Sequence, residues 1–346
     1  MSEFKKEVKC VVWDLDHTVW DGVLLESENV TLKPGIREII ETLDSRGILH
    51  SIASKNNHED AWKKLTEFGL ADYFIYPEIN WNAKSSSIKK IQESINVGID
   101  TLLFIDDQPF EREEVQSVHP QVECVDAVDY QSLTELERLN PRFITSDSKL
   151  RRKMYQDDIK RKQEEEGFEG PSEQFLASLN MKFVISACQE EDLKRAEELT
   201  VRTHQLNATG VTYDYDELNA FRHSDKYKLL VCELVDRYGS YGKIGLSLVE
   251  MNEDHWHLKL LLMSCRVMSR GVGTVLISHI MQECKKAGKT LLADFKKTDR
   301  NKMMYVSYRF ANFKEIKADD DGQVLFENDL SLIQQFPPYI DIEIRD

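Results

Sequence analysis

Between residues 8 and 140 the chain alternates short apolar runs with amphipathic stretches of helical spacing. The apolar runs fall at 9–13, 48–53, 73–76, 101–105 and 122–125. The helical stretches lie near 35–46, 58–68, 84–95 and 109–118. This rhythm is that of βαβ units, which build a parallel sheet under covering helices. The expected fold class is therefore α/β, with a Rossmann-like first domain. In such sheets ligands bind beyond the carboxyl ends of the strands. Asp14, Ser54 and Asp106 each fall at such an end.

The first of these ends reads Val-Val-Trp-Asp-Leu-Asp-His-Thr over residues 11–18. Asp14 and Asp16 leave the strand with the same parity, so they can share one site. Two carboxylates so close repel unless a cation sits between them or one takes a proton. Thr18 adds a hydroxyl beside them. Ser54 stands in Ile-Ala-Ser-Lys-Asn, Lys84 opens a helix after Trp81-Asn82-Ala83, and Asp106-Asp107 follows Leu-Phe-Ile. Together these groups suit a phosphate, because phosphoryl transfer is mainly positioning and charge neutralisation. Taken singly they read equally well as turn and cap residues, Ser54 above all.

The length, 346 residues, suggests two domains, and 41% hydrophobic residues are enough to bury their cores. A net charge of −16 argues against nucleic acid or an anionic membrane as the main partner. No apolar run reaches the roughly 18 residues of a membrane span. The polar start, Met-Ser-Glu-Phe-Lys-Lys-Glu, lacks a signal-peptide core. Cys10, Cys124, Cys188, Cys232, Cys265 and Cys284 are scattered without a CxxC pair, so neither zinc nor disulfides are expected. A cytoplasmic protein with reduced thiols is the expectation.

Residues 147–167 are highly charged and helix-prone, and end at the breaker cluster Gly-Phe-Glu-Gly-Pro over 167–171. The charge run reads most simply as a solvated helix face. The expected organisation is a first domain over 1–146, a helical linker over 147–179 and a second domain over 180–346. In that last part a strand at 182–187 precedes a helix at 189–203. Strands at 228–236 and 243–251 are joined by Arg-Tyr-Gly-Ser-Tyr-Gly, and another runs through 256–264. Ser-Arg-Gly-Val-Gly over 269–273 then opens a helix at 272–287, and a strand follows at 290–295. Successive strands with hairpin links indicate a mixed, largely antiparallel sheet in an α+β domain.

Cys265 is the sharpest feature there. It ends a strand next to Arg266 and close to a helix N-terminus, both of which favour thiolate. Buried core filler is the competing reading. On a regular strand His257, Lys259, Leu261, Met263 and Cys265 would share one face. His204 and Asn207 either polarise the thiol or its ester, or merely cap a helix and meet the surface. His257 reads either as part of the site or as an ordinary strand-face residue. Arg237 either pairs with Asp236 or meets substrate.

Two resemblances sharpen these expectations. The order Asp14-x-Asp16-x-Thr18, Ser54, Lys84, Asp106-Asp107 resembles the haloacid dehalogenase (HAD) superfamily of phosphatases. That likeness implies Asp14 as nucleophile and Asp16 as general acid and base. It implies Thr18, Ser54 and Lys84 at the phosphate, and Mg²⁺ held by Asp14, Asp16 (through its backbone carbonyl), Asp106 and Asp107. Thr18 to Ser54 and Ser54 to Lys84 leave no room for the large cap domain that many relatives insert. The glycine turn resembles the pyrophosphate-binding turn of GNAT acyltransferases, which implies a GNAT-like second domain with Arg270, Gly271 and Gly273 at a pantetheine arm. Met268 departs from that pattern and speaks against ordinary acetyl-CoA binding.

The whole chain is similar to the FkbH-like proteins, whose HAD domain is of subfamily IIIC. The blocks that carry this likeness are Trp-Asp-Leu-Asp-His-Thr-Val-Trp-Asp-Gly-Val, Arg202-Thr-His-Gln-Leu-Asn207, Asp236-Arg-Tyr-Gly-Ser-Tyr-Gly-Lys-Ile-Gly245 and Leu-Met-Ser-Cys-Arg-Val-Met-Ser-Arg-Gly-Val. It implies a bifunctional glyceryl transferase and phosphatase. Such an enzyme takes a three-carbon unit from 1,3-bisphosphoglycerate and loads it, through a Cys265 thioester, onto an acyl carrier protein. Polyketide-type assembly is the implied setting. A stand-alone Mg²⁺-dependent phosphatase with a non-catalytic GNAT-like domain is the alternative. Carrier proteins are usually acidic, so docking on this acidic chain would need a local basic patch. Lys285, Lys286, Lys289, Lys296, Lys297, Arg300 and Lys302 are its candidates, unless they form an ordinary solvated face.

Overall fold

The computed structural model describes residues 6–27 and 29–345. The chain divides into two compact units, Met1–Gln156 and Asp157–Asp346.

In the first unit, β1 (Cys10–Trp13) leads into a two-stranded ribbon of β2 (Trp20–Asp21) and β3 (Thr31–Leu32). Then α1 (Ile36–Ser45), β4 (Leu49–Ser54), α2 (His58–Glu67), β5 (Glu78–Ile79), α3 (Lys84–Ile95), β6 (Leu102–Asp106), α4 (Pro109–Val118) and β7 (Glu123–Asp126) follow. The parallel sheet has the order β5-β4-β1-β6-β7. Its central strands β1, β4 and β6 are buried at every residue, as a sheet covered on both faces requires. Local chemistry sets the helix starts. Asn57 accepts the amide of Asp60 to cap α2, and Pro109 occupies the first turn of α4. Among the described residues between Thr18 and Ser54 lie only the ribbon, α1 and β4.

The expected strand at 73–76 does not form. Ala71–Tyr73 is a 3₁₀ turn, and Phe74 makes only an isolated bridge to His50. Tyr76 turns the chain at a φ of 48°. Pro77 follows with no amide to donate, so pairing resumes at Glu78.

Helices α5 (Ser146–Lys149) and α6 (Arg151–Glu166) occupy the charged stretch that reads as one helix from sequence, and α7 (Ser172–Ser178) follows the breaker cluster. The second unit then runs β8 (Met181–Ala187), α8 (Leu193–Arg202), α9 (Tyr215–Arg222), β9 (Tyr227–Asp236), β10 (Gly239–Met251), β11 (His255–Met263), α10 (Val272–Lys286), β12 (Thr290–Lys296), α11 (Lys302–Phe310), β13 (Lys314–Ala318), β14 (Gln323–Asn328) and β15 (Ile340–Arg345). The eight-stranded mixed sheet has the order β13-β14-β12-β11-β10-β9-β8-β15. Residues of α10 and α11 pack on one face with Phe183 and Phe295, and those of α8 and α9 pack on the other with Leu246 and Leu260. Helices α9 and α11 and strands β13 to β15 have no counterpart in the sequence reading. Most of them are short, though Ile340–Arg345 alternates apolar and charged residues as a half-buried strand does.

Two irregularities matter. The hairpin turn between β9 and β10 is only Arg237–Tyr238, shorter than the expected link. The register of β10 on β11 shifts between Leu248 and Val249, which leaves Lys259 unpaired as a bulge. The regular strand face expected from His257 to Cys265 is therefore broken. Leu258, Leu261 and Met263 join one core and Leu260 and Leu262 the other. Strands β11 and β12 pair only from His255–Leu258 with Thr290–Ala293. Beyond that the segment Leu206–Ala208 is hydrogen-bonded to both, from Met263 N to Leu206 O (2.8 Å), Ala208 N to Leu261 O (2.9 Å) and Lys296 N to Ala208 O (3.0 Å).

The charge run is not merely a solvated face. Arg161 of α6 is buried and donates to Asp236 through Nε (2.5 Å) and Nη2 (3.0 Å). The Tyr238 and Gly239 amides and the Tyr241 hydroxyl also donate to Asp236. Burial opposes the Arg161 charge, and Asp236 outweighs it, holding the guanidinium pKa above its usual value. Arg237, a candidate partner for Asp236, instead reaches Glu164 on the surface. Removing one member of a buried pair strands the other charge. Asp236→Ala is expected to destabilise the second unit by about 3–5 kcal/mol. A urea unfolding midpoint equal to that of the wild type would contradict this.

Candidate functional site

At the carboxyl end of β1 the chain turns sharply. The amides of Thr18, Val19 and Trp20 all point at Leu15 O, and His17 sits at a φ of 54°. This turn sends Asp14 and Asp16 to different partners. Asp14 Oδ1 accepts from Lys84 Nζ at 2.6 Å. The same ammonium donates to Asp106 Oδ2 at 2.8 Å and to the carbonyl of Ala53 at 2.9 Å. Lys84 is thus the buried hub between β1, β4 and β6. Burial opposes its charge, and Asp14 and Asp106 more than compensate, raising its pKa. The Asp106 carboxyl is pushed up, first by burial and then by the Asp14 charge. Asp107 is raised for the same two reasons.

Lys84 is placed by the start of α3. There the Ser85 amide and hydroxyl both donate to the Glu114 carboxylate of α4. On β6, Arg112 holds the Asp106 carbonyl (2.7 Å) and Asp126 (2.6 Å), tying α4 to the strand end. Ser54 closes β4 and is buried.

Asp14, Asp106 and Asp107 offer carboxylate oxygens that all lie within 4.8 Å of one another. Asp107 Oδ1 in this cluster, and Thr18 Oγ1 four residues past Asp14 in the chain, are buried without a hydrogen-bond partner. A donor set made only of oxygens, with buried oxygens still unsatisfied, suits a hard divalent cation and a phosphate. The Asp16 side chain is not part of the cluster. Its Oδ1 accepts from Trp20 Nε1 (2.7 Å) and Leu24 N (3.1 Å), and its Oδ2 from Asn56 Nδ2 (3.0 Å). Burial raises the Asp16 pKa, while the Trp20 and Leu24 donors pull it down. Asn56 is not singled out by the sequence, and Trp20 stands there only as part of the Trp-Asp-Leu-Asp-His-Thr-Val-Trp-Asp-Gly-Val block, without a role of its own.

In the second unit Cys265 lies one residue past Ser264 in a 3₁₀ turn, off the end of β11, and is half-buried. Burial pushes up the thiols of the other five cysteines, Cys188 to about 12 and Cys284 to about 11. His204 is exposed past the end of α8. Asn207 does not cap that helix. It is buried in the segment between β11 and β12, where its Oδ1 accepts the amides of Thr209 (3.1 Å) and Gly210 (2.9 Å). His257 pairs with Asp294 at 2.7 Å, and Lys259 takes the other oxygen of that carboxylate.

The glycine turn is present, with Ser269 and Gly271 at φ of 68° and 81° ahead of α10. Any Cβ on Gly271 would stand 2.8 Å from the Tyr339 hydroxyl, whereas Gly273 faces open space. Arg270 is buried and faces Glu165 at 3.4 Å. Of the basic patch, Lys285 is tied to the Leu330 carbonyl and Lys286 to Glu283, while Lys296, Lys297 and Lys302 are exposed. Among the described residues no helix is long and apolar enough to cross a membrane.

Comparison with known proteins matches residues 17–119 to the haloacid dehalogenase-like hydrolase family. No curated protein sequence matches the chain. A solved structure of the N-terminal part of BF1531 from Bacteroides fragilis, containing a phosphatase domain complexed with Mg, is 32% identical with a TM-score of 0.35. The match covers 39% of this chain and 40% of that one. The ribosomal-protein-S18-alanine N-acetyltransferase of Escherichia coli is 16% identical with a TM-score of 0.35, over 44% of this chain and 97% of that one. The putative acetyltransferase yncA of Salmonella typhimurium, solved with acetyl-CoA, is 15% identical with a TM-score of 0.34, over 44% and 96%. The parallel sheet, the strand-end aspartates and the family match together mark a haloacid dehalogenase-like hydrolase domain in the first unit.

Proposed function

We propose that the chain is a bifunctional enzyme, a Mg²⁺-dependent phosphatase in its first unit and a glyceryl transferase in its second. It takes a glyceryl unit from 1,3-bisphosphoglycerate, removes the phosphate ester and loads the unit onto an acyl carrier protein. The observation that carries the hydrolytic half is the cluster of Asp14, Asp106 and Asp107 at adjoining strand ends, with Lys84 bonded to the first two. The transferase half rests on the Cys265 block and its likeness to FkbH-like proteins.

At the phosphatase site Asp14 attacks phosphorus and becomes an aspartyl phosphate. Asp16 gives its proton to the leaving oxygen and then takes one from the attacking water. Thr18, Ser54 and Lys84 hold the phosphate oxygens. Asp14, Asp106, Asp107 and the Asp16 carbonyl would hold Mg²⁺, which would supply neutralising charge to those oxygens. In the second unit the Cys265 thiolate attacks the acyl phosphate carbonyl, and inorganic phosphate leaves. The carrier's phosphopantetheine thiol then takes the acyl group, and Cys265 departs as thiolate.

One observation favours the plainer reading of a phosphatase with a non-catalytic second unit. Tyr339 lies against Gly271 and Arg270 faces Glu165, so part of the pantetheine turn is already occupied by the chain itself.

Three experiments test these readings, the first the phosphatase they share and the other two the transferase that separates them. Asp14→Asn is expected to lower phosphate release by roughly a thousandfold or more, and chelation of divalent cations should do the same to the wild type. Intact-protein mass spectrometry after incubation with 1,3-bisphosphoglycerate should show a glyceryl adduct on the wild type and none on Cys265→Ala. An adduct that persists in the variant removes Cys265 from the mechanism, and no adduct on either protein leaves the plain phosphatase. Reversing charge at Lys296 and Lys297 should raise KM for the acyl carrier protein, whereas an unchanged KM would exclude this patch as its dock.

A further inference from the structure

The contacts of Asp16 go beyond what the proposed chemistry asks of a proton carrier. Its carboxyl is gripped from two elements that are distant in sequence. Trp20 and Leu24 approach from the ribbon side, through the indole N–H and a backbone amide, and both meet Oδ1. Asn56, two residues past the end of β4, meets Oδ2. The orientation of the Asn56 carboxamide follows from its other contact. Its Oδ1 accepts the Asn57 amide at 2.9 Å, which leaves Nδ2 facing Asp16. Asn56 and Trp20 are both buried, at 1% and 0% exposure, so neither donor has water as an easy alternative. Trp20 is also bridged to Asp16 through the backbone.

The count of lone pairs gives this grip a direction. A carboxyl oxygen accepts about two hydrogen bonds in the plane of the group. Oδ1 already has two donors, so it has no room for a proton. Oδ2 has one donor and one vacant position. We propose that Trp20 and Asn56 are positioning residues that leave Oδ2 as the single atom of Asp16 through which protons pass to and from the phosphate site. The inference rests on the phosphatase reading of the first unit and adds to it which atom moves the proton and which side chains aim it.

Asp14 forms a bond to phosphorus while the bond from phosphorus to the leaving oxygen breaks. The proton on Asp16 Oδ2 moves to that oxygen, giving an alcohol and the Asp16 carboxylate. Water then attacks phosphorus, its proton returns to Oδ2, and the bond from phosphorus to Asp14 breaks. Throughout, Oδ1 keeps its two donors and Oδ2 keeps Asn56, so the carboxyl need not rotate between the two halves.

An acid that is well aimed matters only when the leaving group needs a proton. An alkyl phosphate needs one, and p-nitrophenyl phosphate does not. The value of kcat/KM reports the steps through the departure of the leaving group, so comparing these two substrates isolates the aim of Asp16. Asn56→Ala and Trp20→Phe, the latter keeping the buried ring, are expected to lower kcat/KM for glycerol phosphate by about 10- to 100-fold. For p-nitrophenyl phosphate the loss should stay within about threefold, because no proton is needed. Equal losses on both substrates would mean a merely structural role and overturn the proposal, as would no loss on either. A wild type that hydrolyses neither substrate, or an Asp14→Asn variant as active as the wild type, would instead overturn the phosphatase reading beneath it.

Discussion

Two carboxylates at adjoining strand ends are the electrostatic problem around which the first unit is organised. Asp14 directly follows β1 and Asp106 ends β6, and the parallel pairing of those strands forces them together. Left alone, they would repel across a site with little water to screen them. Lys84 answers this with one ammonium shared by both. Its placement needs α3 to begin at residue 84, and the Glu114 carboxylate of α4 anchors that start through Ser85. A chain of dependence therefore runs from α4 to α3, to the ammonium and to both aspartates. Lys84 neutralises only part of the charge. Three carboxylates face one lysine, and Thr18 Oγ1 and Asp107 Oδ1 remain unsatisfied. The excess of acceptors is what makes the site ready for a cation.

The second unit uses the same economy of charge for a different end. Asp236 gathers the Arg161 guanidinium, two amides and a hydroxyl into one buried knot at the β9–β10 hairpin. Here the carboxylate is saturated, so it has structural weight and no spare acceptor for chemistry. Asp107 differs: it is half-buried, and its Oδ1 has no hydrogen-bond partner.

Much of the first unit is legible in the sequence. Strand ends, helix starts and the residues at them follow from hydrophobic period and caps, and α3 and α4 run over 84–95 and 109–118 as read. The second unit is less legible, for reasons that can be named. A bulge at Lys259 flips the parity of β11, and no pattern of residue types announces it. That flip separates His257 from Leu261 and Met263, and the end of the strand at Met263 leaves Cys265 in a turn. Asn207 reads from sequence either as a group that polarises the thiol or as a helix cap, and it lies in a segment bonded to β11 and β12, a placement that depends on those strands diverging.

The sequence by itself determined the α/β rhythm of the first unit and the residue types at its strand ends, because period and parity act within a few residues of chain. It also singled out the aspartates, Lys84 and Ser54 as a group that could meet. Only the tertiary structure decided how the aspartates divide their work. Asp14 turns to Lys84, while Asp16, two residues on, is held by Trp20, Leu24 and Asn56. The physical reason is that hydrogen bonds choose partners by position in space. Asn56 is 40 residues from Asp16 in the chain and 3.0 Å from it in the fold.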